Sequence, residues 1–77
     1  MTLDRHELDG IPRITARVLP TEEFEVLLVN AGYHKVGSAP ARGNRIKVWW
    51  QHPIHRRIES IYSSDGQVAI TAYHVGD

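Results

Sequence analysis

Cysteine is absent from the 77-residue sequence, which excludes a disulfide framework and any thiolate-held zinc. No apolar run exceeds the four residues Val26–Val29, too short for a membrane-spanning helix. No charged-then-apolar leader opens the sequence, so a cytoplasmic location is expected. Aromatic residues make up only 8%, and no Gly-x-Ser-x-Gly elbow, phosphate-cradling glycine pattern or paired-carboxylate arrangement occurs. No cofactor is expected. What is present is an ordinary globular balance, 42% hydrophobic and 23% charged, in a chain long enough for one core.

The net charge is zero, but its sign is segregated along the chain. Residues 1–25 carry six acids (Asp4, Glu7, Asp9, Glu22, Glu23, Glu25) against three bases (Arg5, Arg13, Arg17). Residues 26–58 carry no acid and six bases: Lys35, Arg42, Arg45, Lys47, Arg56 and Arg57. Residues 59–77 carry no base and three acids, Glu59, Asp65 and Asp77. If the central bases gather on one face, their potential favours an anionic partner. If each lies beside an acid in the fold, they only neutralise it.

Hydrophobic periodicity gives an α+β fold: a single helix packed on a curved antiparallel sheet of four to five strands, in the order strand-helix-strand-strand-strand-strand. Residues 1–10 lack a period and read as a mobile N-terminal segment; residues 11–77 form the one domain. Ile11–Leu19 alternates as a strand, with Ile14, Ala16 and Val18 inward, although Pro12 confines it to an edge or a late start. Thr21 is placed to cap a helix whose first turn holds Glu22 and Glu23. Phe24, Leu27, Leu28 and Ala31 then form one apolar stripe, and Gly32 stands where a left-handed residue ends a helix.

Tyr33–Ser38 reads as a short strand, residues 39–44 as a loop, and Arg45–Gln51 as a strand with Ile46, Val48 and Trp50 on one side. Pro53 makes His52–His55 a turn. Asp65-Gly66 predicts a hairpin between Arg56–Ser63 and Gln67–Val75. A two-residue loop there opposes Tyr62 to Ala69, Ile61 to Ile70, Ile58 to Tyr73 and Arg57 to His74, with Ile61, Val68, Ile70 and Ala72 as the core face. A slip of one residue reverses that assignment.

Cations interleaved with an aromatic ring on Arg45, Lys47, Trp49 and Gln51 suit a phosphate backbone with a stacked base, or a protein hot spot. Trp49 and Trp50 are adjacent and cannot both enter one core, so one is exposed or packs under neighbouring cations. With Arg42 in the loop, and with Arg56 and Arg57, these residues form the expected binding surface. Its partner is nucleic acid or a nucleoprotein complex. A homodimer by edge-strand pairing is also consistent with so small a core. His52 and His55 have a spacing compatible with zinc but lack further ligands, so no metal site is expected. The role that follows is a small non-catalytic binding or regulatory protein, of the kind encoded as inhibitors by phages and mobile elements.

A catalytic alternative rests on His55, Arg56 and Arg57 beside Tyr62, Tyr73 and His74, because histidine, tyrosine and arginine can supply the base, acid and cation of metal-independent RNA cleavage. One helix followed by an antiparallel sheet, with Gln67-Val68-Ala69-Ile70-Thr71-Ala72-Tyr73-His74 as its last strand, resembles small bacterial ribonuclease toxins of the barnase, colicin and RelE-like fold group. That resemblance implies a toxin-like ribonuclease with His55, Arg57, Tyr73 and His74 as its catalytic residues.

Overall fold

A computed structural model describes residues 2–76; Met1 and Asp77, which bound the expected N-terminal segment and domain, lie outside it. Strand β1 (Leu19–Pro20) leads directly into helix α1 (Thr21–Asn30). Strands β2 (His34–Pro40), β3 (Ile46–Gln51), β4 (Ile58–Tyr62) and β5 (Val68–His74) follow. All five strands join one antiparallel sheet in the spatial order β1-β5-β4-β3-β2, which is the expected α+β architecture.

The helix forms on its stripe. Phe24 and Leu28 are fully buried, Leu27 and Ala31 pack at the margin of the core, and Val26 and Val29, which lie off the stripe, are exposed. Its C-terminus closes as a Schellman motif. Gly32 takes a φ of +96°, its amide donates to the Val29 carbonyl, and the Tyr33 amide donates to the Leu28 carbonyl. The capping role expected of Thr21 is corrected: Thr21 is the first helical residue, so its hydroxyl sits inside the first turn and finds no partner. Its amide instead donates to the Gln67 carbonyl at 2.9 Å.

Val48 and Trp50 of β3, Ile58, Ser60 and Tyr62 of β4, and Ala69 and Ala72 of β5 form the buried helix-facing side. Ser60 is tolerated there because its hydroxyl accepts from Trp50 Nε1 and donates to the Val48 carbonyl, both at 3.1 Å. The hairpin register is partly corrected. Tyr62 opposes Ala69 as expected, but a bulge then shifts the pairing, so that Ile61 opposes Thr71 and Ile58 opposes His74. The expected core face is corrected too: Ile61 alternates with the buried Ser60 and Tyr62 and so faces away from the helix, Val68 and Ile70 are only half-buried, and the bulge brings Ala72 onto the buried side with Ala69. The alternative face would have carried Glu59 into the core, whereas this one buries Ile58 and Tyr62. The turn itself is a four-residue turn with Gly66 at φ +75° and its amide bonded to the Ser63 carbonyl, rather than a two-residue loop.

Two further expectations give way for one reason. The strand expected over 11–19 is reduced to Leu19–Pro20. The N-terminal segment, expected to be mobile, supplies Leu3 (1% exposed) and Leu8 to the core. The Leu3 amide donates to the Arg17 carbonyl at 2.8 Å, so the 11–18 backbone serves this segment instead of a ladder. Ile14 alone of the three expected inward residues is buried; Ala16 and Val18 are exposed. The segment runs beside the part of β5 that β1 leaves unpaired: the Thr71 hydroxyl reaches the Thr2 carbonyl, the His6 ring meets Tyr73 edge-on, and the Asp9 amide donates to His74 Nε2. The exposed edge of a sheet is thereby covered. At the opposite edge, β2 carries a bulge between Lys35 and Gly37 and ends at Pro40.

Candidate nucleic-acid interface

Alternation in β3 and β4, together with the bulge in β5, decides what stands on the face away from the helix. Lys47 and Trp49 of β3 oppose Ile61 and Glu59 of β4, which oppose Thr71 and Tyr73 of β5. Trp49 lies across Gly37 of β2, where an added Cβ would sit 3.5 Å from the indole, and Lys47 Nζ lies 5.9 Å from its ring centroid. Glu59 holds the row together. One carboxylate oxygen accepts from Trp49 Nε1 at 2.9 Å and the other from the Tyr73 hydroxyl. Both aromatic rings are thus fixed by a residue whose charge is already met by two donors.

Arg42, Arg45 and Lys47 line one cavity of about 260 Å³, with Ala41, Ile61 and Tyr73 completing it. Arg42 arrives from a 3₁₀ turn (Arg42–Asn44) in which Gly43 and Asn44 take φ values of +68° and +63°. Arg45 follows that turn and precedes β3 rather than starting it. Of the six central bases, Lys35 is on the helix side and pairs with Glu25 at 2.9 Å, while also lying over Trp50. Among the described residues, Arg42, Arg45, Lys47, Arg56 and Arg57 have no carboxylate within 4.0 Å. The expected binding set nevertheless divides. Arg42, Arg45 and Lys47 gather at one end of the sheet, and Arg56 and Arg57 sit in the loop before β4 at the other. Trp49 stands on β3 between them.

His52 and His55 are engaged in the structure, whereas the buried Nε2 of His6 has no hydrogen-bond partner. His52 Nε2 donates to the Ala31 carbonyl at 2.8 Å, at the end of α1, and Nδ1 accepts from the Ile54 and His55 amides. His55 stacks against Tyr33 and lies so near Gly10, at φ +79°, that an added Cβ there would be 2.9 Å from its Nε2. Among the described residues no three His, Asp, Glu or Cys side chains gather as metal ligands.

The residues of the catalytic alternative are brought together only in part. Tyr62 is on the helix side, where its hydroxyl donates to Glu25, and Tyr73 is on the other face. His74 has both ring nitrogens bound: Nδ1 donates to the Arg56 carbonyl at 3.1 Å, and Nε2 accepts from the Asp9 amide at 2.9 Å. Arg56, Tyr73 and His74 line one cavity, and His55, Arg56 and Arg57 line another, so that Arg56 borders both. Glu59, Ile61, Arg5 and His6 are the surface residues that sequence reasoning missed. The outward register of β4 would have revealed the first two.

The tyrosines give this arrangement a pH signature. The hydrogen bond to Glu59, then burial, pushes Tyr73 up to about 12; burial and the Asp9 charge push Tyr33 up to about 12. Burial, reinforced by Glu25, raises Tyr62 further. A phenol whose native titration is raised keeps its proton better folded than unfolded. Its contribution is complete below the ordinary value of 10.0 and is lost as pH rises through 12. Melting temperature is therefore expected to fall steadily between pH 10 and 12, followed by circular dichroism. An unchanged melting temperature there, with all phenolate absorbance appearing near pH 10, would contradict these environments.

No family model matches the chain, and neither do the curated proteins or the solved structures compared with it. The fold and the cationic, aromatic face together define a small α+β protein with one sheet face free of the helix.

Proposed function

We propose that the protein is a binding module that docks nucleic acid on the sheet face opposite the helix. The observation that carries this reading is the set Arg42, Arg45 and Lys47 around one cavity, without a carboxylate within 4.0 Å among the described residues, beside the ring of Trp49. Unpaired cations on a surface lower the free energy of a polyanion by releasing its counterions, and a flat ring accepts a base without regard to sequence. Trp49 and Tyr73, held by the two oxygens of Glu59, are ordered before the partner arrives, so less side-chain entropy is lost on docking. A binding role is favoured over RNA cleavage because both nitrogens of His74 already have partners, and His55 and Arg57 line a different cavity from Tyr73 and His74.

The test is residue-level mapping. In ¹⁵N–¹H spectra of the labelled protein, added single-stranded oligonucleotide is expected to shift the Trp49 indole N–H and the amides of Arg42, Arg45, Lys47, Ile61 and Tyr73. Val26, Leu27 and Val29 of α1 should stay in place. Shifts confined to the helix side, or none at millimolar oligonucleotide in low salt, would refute the proposal.

A further inference from the structure

Tyr73 borders two cavities rather than one. On one side it closes the 260 Å³ cavity of Arg42, Arg45 and Lys47. On the other it closes a second cavity of about 570 Å³, which Arg5, His6, Glu7, Arg56 and His74 also line. The second cavity is built from two distant parts of the chain. The 3₁₀ turn Leu3–Arg5 supplies Arg5 beside β5, and the loop ahead of β4 supplies Arg56. Arg5 and Arg56 are both exposed, and among the described residues neither has a carboxylate within 4.0 Å. Of the acids beside this cavity, Glu7 is turned to Arg13 at 3.2 Å and the Asp9 carboxylate lies 3.5 Å from His74 Nε2. The ridge between the cavities is rigid, since the Tyr73 hydroxyl is bound to Glu59 and its ring meets His6 edge-on at 5.7 Å.

From this geometry we infer that the two cavities are phosphate subsites for one single strand, which crosses the Tyr73 ridge and lays a base against that ring. The inference rests on the reading of this face as a nucleic-acid surface, and it adds the form of nucleic acid and a second set of residues, Arg5 and Arg56. A strand that fills both cavities must leave a base at the ridge, and a base can meet the ring only if it is not stacked in a duplex. Stacking of one base on an aromatic ring strengthens binding by roughly tenfold or more. Two phosphate contacts at about 0.7 in salt slope each lower that slope by about 1.4 when removed, which is roughly 25-fold in affinity at 0.1 M salt.

The experiment measures fluorescence anisotropy of labelled oligothymidylates of two to ten nucleotides, and of a ten-base-pair duplex, with the full chain and with the variants R5A/R56A, R42A/R45A, Y73F and Y73L. R5A/R56A is expected to bind the decamer roughly 25-fold more weakly than the native chain at 0.1 M salt, while the two chains bind the dinucleotide alike. Y73F retains binding and Y73L loses roughly tenfold or more. The duplex binds at least tenfold more weakly than the single strand. Native affinity in R5A/R56A together with weakened binding in R42A/R45A would remove the second subsite and leave the proposed surface standing. Equal affinity for duplex and single strand would remove the single-strand assignment. Absence of binding to every probe would remove both readings together. The charge-removing variants alter exposed side chains, and superimposable melting curves establish that they fold.

Discussion

Trp50→Ala is expected to leave the chain without a cooperative thermal transition above room temperature, whereas Trp49→Ala, one residue away, keeps the fold and loses the ligand. Trp50 is 1% exposed and its indole N–H begins the chain of hydrogen bonds through Ser60 to Val48. Truncating a buried tryptophan costs about 3–5 kcal/mol. The core of so small a domain supplies no more than about 3–5 kcal/mol in total. Loss of the indole also removes the donor to the buried Ser60 hydroxyl, which keeps only its bond to the Val48 carbonyl. Trp49 is half-buried on the opposite face, against Gly37, Lys47 and Glu59, and lies outside the buried core cluster. Its removal should cost about 1 kcal/mol, a fall of about 4–8 °C in a domain of this size. Circular dichroism melts of the two variants measure this directly. A cooperative transition near the native temperature in Trp50→Ala would mean that the core is organised around another residue.

The second large effect is on affinity. Replacing Arg42, Arg45 and Lys47 together by alanine is expected to weaken single-stranded oligonucleotide binding roughly 100-fold at 0.1 M salt, since three phosphate contacts each contribute about 0.7 to the salt slope. Stability should hardly change. Arg42 and Arg45 are exposed and make no ion pair among the described residues, and Lys47 contributes only its place over the indole. Equal loss of binding and of melting temperature would point to a structural role for these side chains instead.

Much of the architecture was legible in the sequence because it rests on local signals. The stripe of Phe24, Leu27, Leu28 and Ala31 and the terminating Gly32 specify the helix without reference to anything distant. Alternation in Arg45–Gln51 correctly placed Trp49 and Trp50 on opposite faces, with Trp50 beside Ile46 and Val48. What failed depended on contacts far apart in sequence. The face of β4 that meets the helix follows from the cost of burying Glu59, and no turn residue reports the β4–β5 bulge. The 11–18 stretch alternates as a strand would, yet its backbone is taken up by Leu3, which sits in a segment with no period of its own. The candidate surface shows the same division. Charge segregation identified Arg42, Arg45 and Lys47, which the fold does bring to one cavity, and also Lys35, which it pairs with Glu25 under the sheet. Arg5 could not have been joined to Arg56 from spacing, because only the wrapped N-terminal segment places them around one cavity.

The salt dependence of oligonucleotide affinity tests the central claim most directly, with the native chain and the Arg42, Arg45, Lys47 triple-alanine variant followed by anisotropy from 0.05 to about 1 M salt. If these cations meet phosphates, log affinity of the native chain falls linearly with log salt concentration, the variant's slope is shallower by about 2, and the two lines converge near 1 M. Parallel lines, or a native affinity indifferent to salt, would show that the cations of this face do not meet a polyanion.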